Sequence, residues 1–327
     1  MKNVLASLML VGLFACRGGP GGSDVPDAGA PAAHEADADG PNRFAADRLW
    51  DDGRAEIDAY EAITRRYGIL RPFTAYHIVV KEDLSRRQLV KADAGHDPVD
   101  LVTVLKLNQV LQYQTGIYSY HQMASTFYDR TSMELLKFTL TSFEWCGNSF
   151  KEFTRRPDGV RLHVHTYWDN QAEATYELPA SPDLILYDQL PLWIRSLPQT
   201  PGTSRSLRLV PGQIESKGAR PEPIAALLRA TTEESVRVPA GTFRALRWEL
   251  QASERRPEAH GGRTGPAATR SGTAEAGSEI YWTARDFPYL LVAWSKPDGG
   301  SYRLKWTRRL AYWTLNHPGD ESYLTGP

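Results

Sequence analysis

Apolar and polar residues alternate along many short stretches of the chain. Every second residue is apolar or aromatic in several of them, which is the period of a β-strand with one buried face. In the first half of the chain these stretches are residues 74–84, 100–114, 116–128, 134–145 and 159–168. Turn-forming clusters at residues 129–131 and 156–159 separate some of them. The pattern predicts a series of antiparallel strands.

The second half of the chain repeats this pattern. Strand-like stretches occupy residues 234–251, 278–284 and 289–313. Within the last of them, a Pro-Asp-Gly-Gly sequence lies between Lys296 and Ser301. Such a turn between two alternating stretches predicts a β-hairpin.

Helical periodicity is scarce. Residues 54–67 fit either a helix or a strand, because both spacings are present. Residues 183–197 predict a helix that Pro191 kinks or splits. The predicted body is therefore mostly β, a long curved antiparallel sheet or open barrel with one or two short helices. We expect the central helix to sit as a plug inside the curve, and the aromatic concave face to be incompletely filled.

The first fifteen residues carry one charge at Lys2 and then an apolar run that ends at Ala15. This run is shorter than the roughly 20 residues that a membrane-spanning helix needs, so it predicts a cleaved signal peptide at residues 1–15. The residues Leu13-Phe14-Ala15-Cys16 resemble the lipobox of bacterial lipoproteins. That resemblance implies a lipid on Cys16, export, and attachment to the cell envelope, with the outer membrane implied by Arg17. Ordinary secretion with an incidental Cys16 is the alternative.

Composition divides the remaining chain. Residues 16–53 are rich in Gly, Pro, Ala and Asp, which predicts a disordered tether. Residues 54–327 are predicted to form one β-rich domain, with a possible subdivision near residues 198–203 and a mobile loop at residues 255–277. Near-balanced charge, with 38 basic and 39 acidic residues, gives no reason to expect nucleic-acid binding.

Chemistry-bearing motifs are few, and the sequence predicts no cofactor. Cys146, in Glu144-Trp145-Cys146-Gly147, is a candidate nucleophile. A thiolate nucleophile needs a cation beside it, whereas Glu144 is an anion, so a packing role is the alternative. His163 and His165 share one face of a predicted strand and are candidate metal ligands. The alternative is the polar face of an ordinary half-buried strand, since Leu162 and Val164 alternate with them.

Aromatic residues are abundant, with nine Trp, fifteen Tyr and ten Phe. They supply much of the apolar area of the predicted core. Trp168, Trp193, Trp282 and Trp294 are candidate contacts for an apolar ligand. Core packing is the alternative for each of them.

The segment Val236-Arg237-Val238-Pro239-Ala240-Gly241-Thr242-Phe243, followed by Tyr281-Trp282 and the apolar strand from Pro288, resembles a domain-of-unknown-function family of bacterial envelope proteins. The resemblance covers residues 233–313. Residues 106–147 resemble a group of uncharacterised bacterial lipoproteins. Both resemblances imply an envelope protein.

Two functions follow from these observations. The first is a membrane-anchored binding or scaffolding protein that holds an apolar or lipid ligand, or an envelope protein, on its curved sheet. The second is an envelope hydrolase or metal-dependent enzyme that uses Cys146 or the pair His163 and His165. Convergence of these side chains in one pocket would favour the enzyme.

Overall fold

The computed structural model describes residues 42–253 and 277–326. The predicted signal peptide at residues 1–15, Cys16, the tether up to residue 41 and the loop at residues 254–276 lie outside the described residues. No helix in the described ranges is long and apolar enough to cross a membrane.

In the described ranges, fifteen β-strands form one sheet, and the mostly β architecture is as predicted. The first eight are β1 (Ala55–Arg66), β2 (Ile69–Ser85), β3 (Leu101–Thr115), β4 (Tyr118–Asp129), β5 (Leu135–Glu144), β6 (Gly147–Arg156), β7 (Gly159–Thr166) and β8 (Glu173–Pro179). The other seven are β9 (Leu184–Leu186), β10 (Ser204–Val210), β11 (Ile224–Val238), β12 (Gly241–Ala252), β13 (Glu279–Ala284), β14 (Leu291–Ser295) and β15 (Ser301–Leu310). The ambiguous residues 54–67 thus form a strand, β1. The predicted hairpin between Lys296 and Ser301 joins β14 to β15.

The helical segments are short. They are α1 (Arg43–Ala46) and α2 (Leu190–Trp193), with 3-10 turns at Arg48–Asp51, Pro98–Asp100, Tyr187–Gln189, Ile194–Ser196, Tyr312–Thr314 and Asp320–Leu324. The predicted helix at residues 183–197 begins later than expected, because its first residues form β9. The rest of the predicted helix is split into α2 and two flanking 3-10 turns, and Pro191 lies in the first turn of α2, where a missing backbone N–H costs nothing.

The sheet begins with β8 at one edge and ends with β9 at the other, although these strands are consecutive in the chain. Its order is β8-β7-β6-β5-β4-β3-β2-β1-β15-β14-β13-β12-β11-β10-β9. The linker from Ala180 to Asp183 can span at most roughly 17 Å, so the two edges must lie close together. The sheet is therefore curved into an open barrel.

Side chains, rather than backbone hydrogen bonds, join the two edges. Leu186 and Val210, from the β9 edge, are buried in one cluster with Val160, Leu162 and Leu178 from the β8 edge. Apolar packing of this kind needs no strand register. A shared apolar core thus bridges the gap between the two edges, which do not pair.

The inward face of the sheet is covered by the chain itself. A plug, which we define as residues 187–196, places Leu190 and Ile194 in the largest buried cluster. The side-chain amide of Gln109 donates to the carbonyl of Asp188 at 2.9 Å, and the Tyr128 hydroxyl donates to the carbonyl of Gln189 at 2.7 Å. The expected plug is therefore present, and it occupies the concave face.

A second segment fills the inward face near the gap. We call residues 211–218 the strap; it follows β10 without forming a strand. Lys151 donates from Nζ to the carbonyl of Gln213 at 3.0 Å, and the Ser149 hydroxyl donates to the carbonyl of Ser216. The Gly218 N–H donates to Oε1 of Gln171 at 2.9 Å. The strap thus lies along the inner side of the β8 edge.

Residues 42–53, predicted as the end of a disordered tether, belong to the folded body. The Asn42 side chain accepts hydrogen bonds from the N–H groups of Phe44 and Ala45, which caps α1. Trp50 is buried, packs edge-on against Phe44 at 5.3 Å and donates from Nε1 to its carbonyl. The prediction of a disordered tether was wrong for residues 42–53, because burial of the Phe44 and Trp50 rings stabilises this segment despite its polar composition.

Candidate functional site

Four hairpin turns at one end of the sheet expose a large apolar residue each. In an antiparallel meander alternate turns lie at the same end, so the turns after β1, β3, β5 and β7 are neighbours. They carry Tyr67, Ile117, Trp145 and Tyr167, which are 59%, 82%, 68% and 71% exposed. Tyr118, beside Ile117, is half-buried. We call these five residues the tip patch.

Contacts between neighbouring turns make the tip patch continuous. The hydroxyl of Tyr118 donates to that of Tyr67 at 3.1 Å, and the Tyr118 ring lies 6.4 Å from the ring of Trp145. The Tyr167 ring covers Gly147 so closely that a Cβ added to this glycine would lie 2.6 Å from the ring atoms. The exposed rings therefore form one surface rather than four isolated residues.

The tip patch rests on a rigid aromatic support. Arg66 lies over the rings of Tyr67 and Tyr120, at 4.8 Å and 4.7 Å, and donates to the Tyr120 hydroxyl at 2.7 Å. Tyr120 stacks in turn on Tyr113 at 5.1 Å. Such cation–π and stacking contacts limit side-chain motion. The exposed surface is thus held in place from within.

Cys146 is exposed in the turn between β5 and β6. In the register of β6 and β7, His165 lies opposite Phe150 and His163 opposite Glu152. His165 is therefore about four strand positions, or roughly 13 Å, away from the level of Cys146. The strand pairing does not bring a histidine beside this thiol.

His163 and His165 lie on the outward face of β7, while Leu162 and Val164 are buried on its inward face. His163 contacts the Thr175 hydroxyl at 3.4 Å. Among the described residues, no group of three His, Cys, Asp or Glu side chains could hold a metal ion. The structure thus places the two histidines on the polar face of a half-buried strand.

The four candidate tryptophans are dispersed. Trp168 is half-buried in the turn after β7, and Trp193 packs within the plug. Trp282 faces outward on β13 and donates to Glu234, whereas Trp294 is buried, stacks on Tyr302 at 4.5 Å and donates to Glu279. They do not line a common groove.

A charged cluster that sequence reasoning missed is buried beneath the plug. Arg195 makes a two-pronged ion pair with Glu56, at 2.7 Å and 3.1 Å, and donates to the carbonyl of Pro288. Burial raises the pKa of Asp58 well above its usual value, and Glu56 raises it further. Burial lowers the pKa of His77 to about 3, assisted by Arg195. All four side chains are at most 3% exposed, so this cluster anchors the plug and is closed to substrates.

A second buried polar group lies under the strap. Asp188 accepts from the Gln213 N–H at 2.7 Å, and Lys151 donates to the carbonyl of the same residue. Burial raises the pKa of Asp188 to about 6 and lowers the pKa of Lys151 to about 8. Asp188 thus accepts from a backbone N–H of the strap, and Lys151 donates to a backbone carbonyl of the same residue. They fix a loop that has no strand partner.

Two clefts open on the outward face of the sheet. One, of about 280 Å³, lies between β1 to β3 and the C-terminal segment, and its lining is mostly apolar. The other, of about 360 Å³, lies between the β2–β3 loop and strands β5 and β6, and is rich in arginine. Neither could be predicted from the sequence, because each joins segments that are distant along the chain.

No protein-family model matches the chain, and no curated protein matches it. A similar solved structure is the crystal structure of a beta-barrel-like protein of the domain of unknown function DUF1849 from Brucella abortus. The two chains are 7% identical, with a TM-score of 0.44, over 78% of this chain and 97% of that one.

Proposed function

We propose that this protein is a lipid-anchored scaffold of a bacterial cell envelope, which holds another envelope protein through the tip patch. The observation that carries the proposal is the exposure of large apolar side chains on four adjacent turns. Contiguous exposed apolar surface on a folded protein marks an interaction site, and Tyr and Trp are enriched where protein interfaces bind most strongly.

The tip patch is favoured over the concave face as the contact surface. The plug and the strap occupy that face with Leu190, Ile194 and the backbone of residues 211–218. An apolar ligand bound there would have to displace buried side chains and their hydrogen bonds. The tip patch is already exposed and needs no such rearrangement.

The sheet edges are less suited to binding a partner strand. β8 has only seven residues, carries Glu173 and Glu177, and ends in Pro179. β9 has three residues. Short, charged or proline-ended strands are the means by which proteins discourage pairing at an edge. A partner is therefore expected at the turns.

The proposal is tested by placing a photo-crosslinking amino acid at single positions of the full chain in its native cells. At Ile117 or Trp145 we expect one discrete protein adduct, and Tyr167→Ser should reduce its yield at least fivefold. Val99, which is 85% exposed in the β2–β3 loop at the other end of the sheet, is the matched control and should give no such adduct.

Equal adducts at Val99 and Trp145, or adducts with lipid alone at the tip patch, would contradict the scaffold.

The proposed lipid anchor on Cys16 has its own test. A fatty-acid analogue should label the unchanged chain, and Cys16→Ser should abolish the label.

A further inference from the structure

The arginine-rich cleft lies at the end of the sheet opposite the tip patch. Its walls come from the β2–β3 loop, from β5 and from the turn between β6 and β7. Five cationic side chains and one carboxylate line it: Arg86, Arg87, Lys137, Arg155 and Arg156, with Glu152. Positive charge from three separate segments thus converges on one volume of about 360 Å³.

The anionic groups around this cleft are already engaged. Lys137 pairs with Glu152 at 2.8 Å, which neutralises the one carboxylate of the lining. Asp100, just behind the loop, accepts from the Ser85 hydroxyl and the Arg87 backbone N–H and contacts His96. Neither Glu152 nor Asp100 therefore pairs with an arginine side chain of the cleft.

Within the described ranges, Arg86, Arg87 and Arg156 form no salt bridge, whereas Arg155 pairs with Glu134 at 3.3 Å. Arg86 is held in place because it donates to the carbonyl of Leu101 at 3.0 Å. Guanidinium groups that form no salt bridge are free to bind phosphate, which they contact through two parallel hydrogen bonds.

The cleft also has apolar lining. Leu89, Val102 and Leu136 line it together with the arginines, and Val102 is buried. A free inorganic anion gains nothing from such a lining, whereas an amphiphile can place its phosphate at the arginines and its first methylene groups against the apolar residues. We propose that this cleft binds the phosphate headgroup of an anionic lipid.

The position of the cleft fits a lipid surface. Asn42 lies at the same end, where its N–H donates to the carbonyl of Thr131 in the β4–β5 turn. The proposed lipid anchor on Cys16 precedes Asn42 in the chain, which supports a lipid as the source of the phosphate. The assignment rests on the cleft geometry and is independent of the tip patch.

The test uses the full chain in a neutral detergent, titrated with monomeric dihexanoylphosphatidylglycerol and followed by calorimetry. We expect dihexanoylphosphatidylglycerol to bind at least tenfold more tightly than either dihexanoylphosphatidylcholine or inorganic phosphate. The double variant Arg87→Gln/Arg156→Gln should weaken binding of the anionic lipid at least tenfold. Arg87→Lys/Arg156→Lys should retain most of the affinity, since the charge is kept.

The matched control is Arg229→Gln/Arg303→Gln, which removes the same charge from exposed arginines on β11 and β15 and should change the affinity less than twofold. Equal loss in the two glutamine variants, or equal binding of the two lipids, would overturn the site. Inorganic phosphate binding as tightly as the anionic lipid would overturn its assignment to a lipid. Unchanged urea unfolding of each variant excludes misfolding as the cause.

Discussion

His77 shows how the barrel interior controls the charge of single residues. It lies opposite Asp58 in the pairing of β1 with β2, and its ring is 4.8 Å from that of Tyr60. Burial lowers its pKa to about 3, so the folded protein holds the imidazole neutral. The ordinary histidine pKa of about 6.5 applies once the chain is unfolded.

The pH dependence of stability follows from this difference. Between about pH 6.5 and 3 the unfolded chain binds a proton at His77 that the folded chain does not, so stability is lost as the pH falls. Relative to His77→Gln, the free energy of unfolding should fall by up to about 1.4 kcal/mol per pH unit in this window. Urea unfolding at several pH values measures it. His165→Gln, which replaces an exposed histidine, is the control, and equal slopes for both variants would contradict the argument.

Sequence could not identify these residues as a group. Glu56 and Asp58 alternate with Ile57 and Ala59 on β1, which is an ordinary half-buried pattern. In the structure both carboxyl groups are buried, and Arg195, far along the chain, forms the ion pair that compensates Glu56. Trp145 was within reach of sequence reasoning, because the turns after β1, β3 and β5 each hold a large apolar residue. Cys146, next to it, carries the more reactive group, but the feature that the turn shares with its neighbours is the exposed ring of Trp145.

At the level of elements, most strands were predicted, but β6, β8, β9 and β10 were not. β9 lies in the segment predicted as a helix, and β10 was assigned to no element. β6 and β8 were missed because their alternation is weak. The inward residues of β6 include Ser149 and Lys151, which contact the strap backbone rather than an apolar core. β8 is an edge strand that is largely exposed. Hydrophobic alternation does not predict a strand whose buried side chains contact a loop, as in β6. It also does not predict an exposed edge strand such as β8.

Close packing of the strap on β7 leads to a prediction. A methyl group at Gly218 would lie 2.0 Å from Cγ1 of Val164, so Gly218→Ala must displace one of the two segments. We expect a loss of about 1–3 kcal/mol in the free energy of unfolding, as for other overpacked sites. Hydrogen exchange should also increase in β8.

Val164→Ala removes the colliding atom, so the double variant Gly218→Ala/Val164→Ala should lose less stability than the two single changes added together. Additive losses in urea unfolding would mean that the strap does not pack on β7 in solution.

At the level of the whole molecule, the C-terminal segment covers an apolar part of the outward face. Residues 311–326 follow β15, and Tyr312 and Leu324 line the cleft with Ile57, Tyr76 and Ile78. The Arg308 guanidinium donates to the carbonyl of Tyr323 at 2.9 Å, which holds this segment against the sheet. It therefore shields a surface that strands β1 to β3 leave open.

Removal of residues 311–327 should uncover this surface. A solvatochromic hydrophobic probe should bind the full chain weakly, because the concave face is occupied, and should bind the shortened chain saturably with blue-shifted emission. Leu324→Asn, a smaller disturbance of the same contact, should give an intermediate signal. Saturable binding of equal strength to the full chain would instead point to space under the plug.

The strand order also determines when the sheet can be completed. Across the sheet, β9 to β15 and then β1 to β8 follow one another in chain order, and neighbouring strands are antiparallel except β9 and β10, which are parallel. The central ladder of the sheet pairs β1, the first strand along the chain, with β15, the last one, and places Ala55 opposite Leu310. Local hairpins can form early, but this ladder must wait for the last strand. A newly made chain therefore passes through a stage with two half-sheets and open β1 and β15 edges, at which it is most prone to aggregate.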